Sequence, residues 1–211
     1  MSLDIVKYQR PIRSFFLRDP AIVARELIGH GIVRRLNDTW VGGRIVETEA
    51  YLSESDPASH SRSGVTPRCK SMFEIGGTLY VYTIHAKYCM NVVTEIQGRG
   101  SAVLIRAIEP LWGIEIMKQN RRYDDLRRLT RGPAMLCQAI GVTTVDDGVD
   151  LVSSGTIGLV TLPDRESKLI TCGPRIGISR GQEMPLRFFQ SGNRFVSRTT
   201  KVGRPDSNEE A

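Results

Sequence analysis

Two carboxylates, an aromatic ring and a histidine crowd into "RIVETEAYLSESDPASH", positions 44–60. Side chains alternate along an extended segment, so Ile45, Glu47, Glu49 and Tyr51 are expected on one face of a strand, ahead of an acidic loop with Asp56, Ala58 and His60. A carboxylate beside aromatic rings is awkward to desolvate and needs a cationic or hydrogen-bonding partner. Arg106, at the end of the apolar run "AVLIR", is a candidate. On spacing alone Arg106 fits a surface position as well, and Glu47 and Glu49 fit an exposed strand face. Tyr80 and Tyr82 share a face of "TLYVY" and, with Tyr51, offer flat walls that could stack on nucleobases, although aromatic stripes on strands also serve as core. Taken together these groups suit a pocket for an extruded base. The rival chemistry is a metal-dependent nuclease built on Glu47, Glu49, Asp56 and His60, for which no recognised ligand spacing is present.

The chain that must position these groups has 211 residues, 40% of them hydrophobic, enough to bury a core in one domain. Its 29 Lys and Arg against 23 Asp and Glu leave a charge of +6, suited to polyanions. Cys69, Cys89, Cys137 and Cys172 lie far apart with no CxxC pair, which points to reduced thiols rather than a zinc site or a disulfide framework. Neither a membrane span nor a secretory signal is legible, so the expectation is a soluble intracellular protein, in a bacterial cytoplasm or a nucleus.

Asp19 before Pro20 reads as the cap of a helix ending at Gly29. "GIVRRL" and "VGGRIVETEAYL" flank Asn37-Asp38 as a hairpin, and residues 52–70 form a long aperiodic loop. "TLYVYTIHAKYCMNVV" reads as strand, interruption, strand, with "SAVLIRAIEP" as the next, giving a mostly antiparallel sheet. Helices are expected over "LWGIEIMKQNRR" and "TRGPAMLCQAIG", the second with Thr130 as a possible cap. Short strands are expected at "GTIGLVTL", "LITCG", "RIGI" and "LRFF", and the domain at residues 1–198, with a polar, disordered tail over 199–211.

The ordered strings "GRIVETEAYL", "MFEIGGTLYVY", "CMNVV", "AVLIRAIEP", "GPAMLCQAIG" and "MPLRFF" resemble the alkyladenine (3-methyladenine) DNA glycosylase family, from about Asp19 to Val196. The resemblance implies a single mixed α/β (α+β) domain around a curved, mostly antiparallel sheet with flanking helices, similar to a formyltransferase C-terminal domain. It implies a monomeric, monofunctional enzyme that everts alkylated or deaminated purines from double-stranded DNA and leaves an abasic site. Neither a cofactor nor a metal is implied, and no membrane partner. Glu49 matches the general base for the attacking water, Arg106 the group that orients it, and Ile176 a residue whose main-chain carbonyl helps to hold it. Tyr51, His60 and Tyr82 match the rings around the base, main chain near Ala58 and His60 reads its edge, and Asn91 disfavours the amino group of guanine. Glu47 has no such role. The duplex wedge, a Tyr in well-known members, falls on His85, in a stretch one residue shorter than usual. A damage-binding protein that has lost catalysis is the alternative.

Overall fold

The computed structural model describes residues 5–163 and 169–197. The expected tail lies outside them. Eight strands form one curled sheet: β1 (Gly31–Leu36), β2 (Thr39–Tyr51), β3 (Leu79–Ile84), β4 (Lys87–Thr94), β5 (Ser101–Trp112), β6 (Ile157–Val160), β7 (Ile170–Gly173) and β8 (Arg187–Gln190). The order is β3-β4-β5-β2-β1-β6, with β8 pairing both β2 and β7, and every pairing is antiparallel. The helices are α1 (Arg13–Phe16), α2 (Pro20–Leu27), α3 (Ile114–Arg121) and α4 (Pro133–Ile140). The mixed architecture around a curved antiparallel sheet is the one expected.

Asp19 caps α2, its Oδ1 accepting the Ala21 and Ile22 N–H groups at 2.8 and 3.3 Å. The helix lays Val23, Ala24 and Leu27 against Ile45, Ala50 and Val103 of the sheet, and α4 adds Leu136, Cys137 and Ile140 to the same core. This burial leaves the other face of β2, β3, β4 and β5 for the polar residues.

Strict alternation along β2 fails at one point. Ile45 pairs with Ile108 and Glu47 with Ala107, so Val46 is the extra residue of a β-bulge. Ile45 therefore joins the core with Ala50, whereas Val46 packs with Ala107 and Phe195 on the opposite side. Glu47, Glu49 and Tyr51 keep a common face, but Ile45 does not share it.

Three other expectations change. "RIGI" is an irregular segment, because the Ile176 N–H is held by a side chain and Gly177 takes φ +78°. Leu111 and Trp112 extend β5, where Trp112 pairs with Gly42, and α3 starts only after Gly113. The residue at the start of α4 is Gly132, since the Thr130 hydroxyl donates to the Ile108 carbonyl at 2.6 Å.

Candidate active site

The registered part of the β4–β5 pairing ends at Asn91 opposite Leu104. Beyond it a bridge between Ala107 and Arg131 joins β5 to the segment leading into α4. The opening beside Asn91 and Leu104 is a cavity of about 570 Å³, walled by Tyr51, His60, Tyr82, Asn91 and Arg106, with Ile176 and the first turn of α4 at its rim. That is ample for a nucleobase.

Glu49 lies directly behind this wall, fully buried. Its Oε1 accepts the Ile176 N–H at 2.7 Å and faces the Arg106 guanidinium at 3.1 Å, and its Oε2 accepts the Tyr51 hydroxyl at 3.0 Å. The Ile176 group that meets the carboxylate is thus its N–H. Burial works against the charge of Arg106, but Glu49 and then Glu47 outweigh it and hold the guanidinium above its ordinary range. Glu47 has a different setting. Its Oε1 accepts Arg106 Nε at 3.2 Å, Arg187 Nε at 2.6 Å and the Ser197 hydroxyl at 2.7 Å, and its Oε2 accepts the Ser197 N–H at 2.7 Å. Arg106 therefore bridges a carboxylate at the cavity wall and one sunk in an arginine clamp.

The loop after β2 is pinned by Asp56. Its carboxylate takes both terminal nitrogens of Arg175, at 2.5 and 2.8 Å, and the N–H groups of Leu52 and Ala58 at 3.0 and 2.9 Å. Arg175 also stacks on the Tyr51 ring at 4.7 Å and donates to the Ala50 carbonyl at 3.0 Å. The pair thereby fixes the walls carrying Ala58 and Ile176. Neither residue's role was legible from spacing, because they lie far apart in the chain.

Ser59 caps the short 3-10 turn His60–Ser63. His60 stands edge-on to Tyr82, with centroids 4.6 Å apart, and its Nδ1 meets the Tyr80 hydroxyl at 2.9 Å. Tyr80, noted in the sequence only as a face-mate of Tyr82, thus orients the histidine. Asn91 is anchored by Nδ2 donating to the Tyr80 carbonyl at 3.1 Å. Burial raises the phenols of Tyr51, Tyr80 and Tyr82, with Glu49 the next cause for Tyr51, so all three rings stay neutral well into the alkaline range.

Burial, and after it Arg68, lowers the His60 imidazole below its ordinary range. The unfolded chain therefore binds the proton more readily than the folded one. The contribution of a neutral His60 to stability is present above about pH 6.5 and lost as pH falls through the lower folded value. Thermal melts across that range should show the wild-type protein losing stability on acidification more steeply than His60→Gln. Parallel curves would contradict the assignment.

The remaining residue stands apart from the cavity. His85 and Ala86 form the exposed two-residue tip of the β3–β4 hairpin, with φ of 47° and 58°, matching a primed hairpin turn. Ile84, 43% exposed, is the tip residue that reaches the cavity mouth. The sequence signal for it was a large apolar side chain beside a turn. Among the described residues no group of three or more His, Cys, Asp or Glu is arranged to hold a metal ion. Glu47 and Asp56, invoked for a nuclease, have their oxygens turned to arginines and N–H groups instead. No helix among the described residues is long and apolar enough to cross a membrane.

The profile of the family described as Methylpurine-DNA glycosylase (MPG) matches residues 14–194. A protein of Rhodopirellula baltica is 53% identical over 188 residues, covering 87% of this chain and 81% of its own length. One from Agrobacterium fabrum is 46% identical over 187 residues, covering 88% and 91%, and one from Methanoculleus marisnigri is 41% identical over 189 residues, covering 88% and 97%. All three are provisionally named 3-methyladenine DNA glycosylases. The cavity, its ring walls and the carboxylate behind them thus lie within the matched region of the fold, and the chain belongs to the methylpurine-DNA glycosylase family.

Proposed function

We propose that this protein is a monofunctional DNA glycosylase that everts alkylated or deaminated purines, of the 3-methyladenine, hypoxanthine and ethenoadenine class, from duplex DNA. Water replaces the base at the sugar C1′, and an abasic site remains. The observation that carries this reading is Glu49, fully buried and surrounded by donors, with Arg106 joining it to a ring-walled cavity of nucleobase size.

Eversion costs a few kcal/mol, less for a damaged or mispaired base, so damage is partly selected before chemistry. The faces of Tyr51 and Tyr82 favour a cationic alkylated purine, whose departure neutralises it. Asn91, held by Tyr80, disfavours the exocyclic amino group of guanine. The Tyr51 hydroxyl occupies the Glu49 oxygen that is not engaged by Ile176 and Arg106. Stacking of the purine on Tyr51 and arrival of water exchange that contact for the nucleophile. Glu49 then stabilises positive charge developing on the sugar and takes the proton of the attacking water, while Arg106 aims it.

His85 enters the duplex together with Ile84, the apolar side chain filling the space left by the everted nucleotide. Ile84→Ala should weaken excision from duplex DNA about tenfold or more, since unstacking costs a few kcal/mol per step, and His85→Ala less. Neither should affect a single-stranded substrate to the same degree. Equal losses on both substrates would contradict the wedge.

The test of the function is a duplex with one hypoxanthine or ethenoadenine, assayed for free base and for alkali-labile abasic sites. Release of base by the wild-type protein supports the reading. Lesion-selective binding with no release supports the damage-binding alternative.

A further inference from the structure

Beside the base cavity lies a second, of about 690 Å³, and the two share Arg106 and Pro133. Its other walls carry Arg127, Arg128, Arg131 and one carboxylate, Asp125. Asp125 is turned inward on its own turn, Oδ1 accepting the Arg127 N–H at 2.9 Å. Arg127 and Arg128 are held by neutral groups, and one contact of Arg131 is to a backbone carbonyl. Arg127 Nε donates to the Arg194 carbonyl at 3.2 Å, Arg131 Nε donates to the Val196 carbonyl at 2.7 Å, and the Arg128 guanidinium lies 5.0 Å over the Tyr123 ring. Among the described residues no carboxylate makes an ion pair with Arg127 or Arg128. Like charges gathered around a hollow repel one another unless an anion enters it.

We propose that this cavity seats a backbone phosphate flanking the everted nucleotide, with Arg127 and Arg128 as its principal ligands. The inference rests on the glycosylase reading, and the order of the two hollows supports it. A nucleotide runs from base to sugar to phosphate, and the protein runs from the ring-walled cavity to the arginine cavity through Arg106, which lines both and is paired with Glu49. The planar forks suit a phosphate's oxygens, and their anchoring through Nε or a ring face limits the entropy lost on binding. The phosphate would thereby hold the sugar at Arg106 while the base leaves.

The test uses the full chain, wild type and Arg127→Gln/Arg128→Gln, and a duplex with one hypoxanthine. Both arginines are exposed, so the substitutions leave the core untouched. Between roughly 50 and 200 mM salt the slope of log affinity against log salt should be shallower in the variant by about one for each arginine. Neutral methylphosphonate linkages are then placed one at a time around the lesion. One flanking linkage should weaken wild-type binding roughly tenfold, the scale of a lost charge-assisted hydrogen bond, and should cost the variant nothing further. A variant that keeps the wild-type slope and every linkage penalty overturns the seat. So does a shallower slope with no linkage-specific loss, because diffuse attraction gives that result. Wild-type protein that releases no base from the unmodified duplex removes instead the reading of the catalytic site on which the proposal rests.

Discussion

Glu49→Gln should lower single-turnover base release by about 10²–10⁴-fold, the usual contribution of a positioned proton acceptor, with affinity for lesion duplex changed by only a few fold. The substitution keeps the shape of the side chain. Its amide oxygen can still accept from Ile176 and Arg106, so the cavity walls stay in place. Under the proposed mechanism, the variant loses the charge that would stabilise the sugar and the oxygen that would take the water's proton. A drop in binding that matched the drop in rate would mean that Glu49 holds the fold or the DNA rather than the nucleophile. Activity undiminished in this variant would remove the mechanism.

The second large effect belongs to the neighbouring carboxylate. Glu47→Ala should cost about 3–5 kcal/mol of stability, the range for breaking a buried ion pair, because it leaves Arg187 buried without its carboxylate and takes from Arg106 one of its two. At roughly 2–4 °C per kcal/mol for a domain of this size, thermal denaturation should register a fall of many degrees. Ser197 would also lose the acceptor for its N–H and hydroxyl, freeing the segment after β8. A loss below about 1 kcal/mol would be the behaviour of an exposed surface pair and would contradict the buried clamp. The two substitutions therefore separate neighbours of the same residue type. One should act on rate and the other on folding.

How much of this was legible in the sequence differs from element to element. The start of α2 was, because Asp19-Pro20 encodes it locally and the cap forms as expected. The strands on either side of Asn37-Asp38, the β3–β4 hairpin and β5 were also legible, since period and turn chemistry act within a few residues. The bulge at Val46 was not. Ile45 and Val46 are both apolar β-branched residues, so the string fits either parity, and pairing with β5 decides which one enters the core. "RIGI" has the composition of a strand, but the Glu49 carboxylate takes the N–H that a ladder would need. Leu111 and Trp112 have helical spacing, yet sheet pairing with β2 overrides it.

The candidate site follows the same division. Glu49, Tyr51, His60, Tyr82, Asn91 and Arg106 meet around one cavity or directly behind its wall, and the alternation of strands put most of them within reach of one another. The supports were hidden. Asp56 and Arg175, Glu47 and Arg187, and His60 and Tyr80 are partners chosen by the closing of the sheet, and nothing in their local sequence names the other member. His85, matched to the wedge by resemblance, sits at the hairpin tip in the interruption between two strands, but the apolar side chain at the cavity mouth is Ile84.

The central claim is that Glu49 and Arg106 deliver water to the sugar carbon of an everted purine. The most direct measurement is mass spectrometry of a single turnover on hypoxanthine-containing duplex in H₂¹⁸O, with borohydride added to a parallel reaction. Water attack aided by Glu49 and Arg106 should give free hypoxanthine, one ¹⁸O at the sugar C1′, an unbroken strand and no protein trapped on DNA, with the label lost along with turnover in Glu49→Gln. A borohydride-trapped protein–DNA adduct, or strand cleavage with the base still attached, would contradict it.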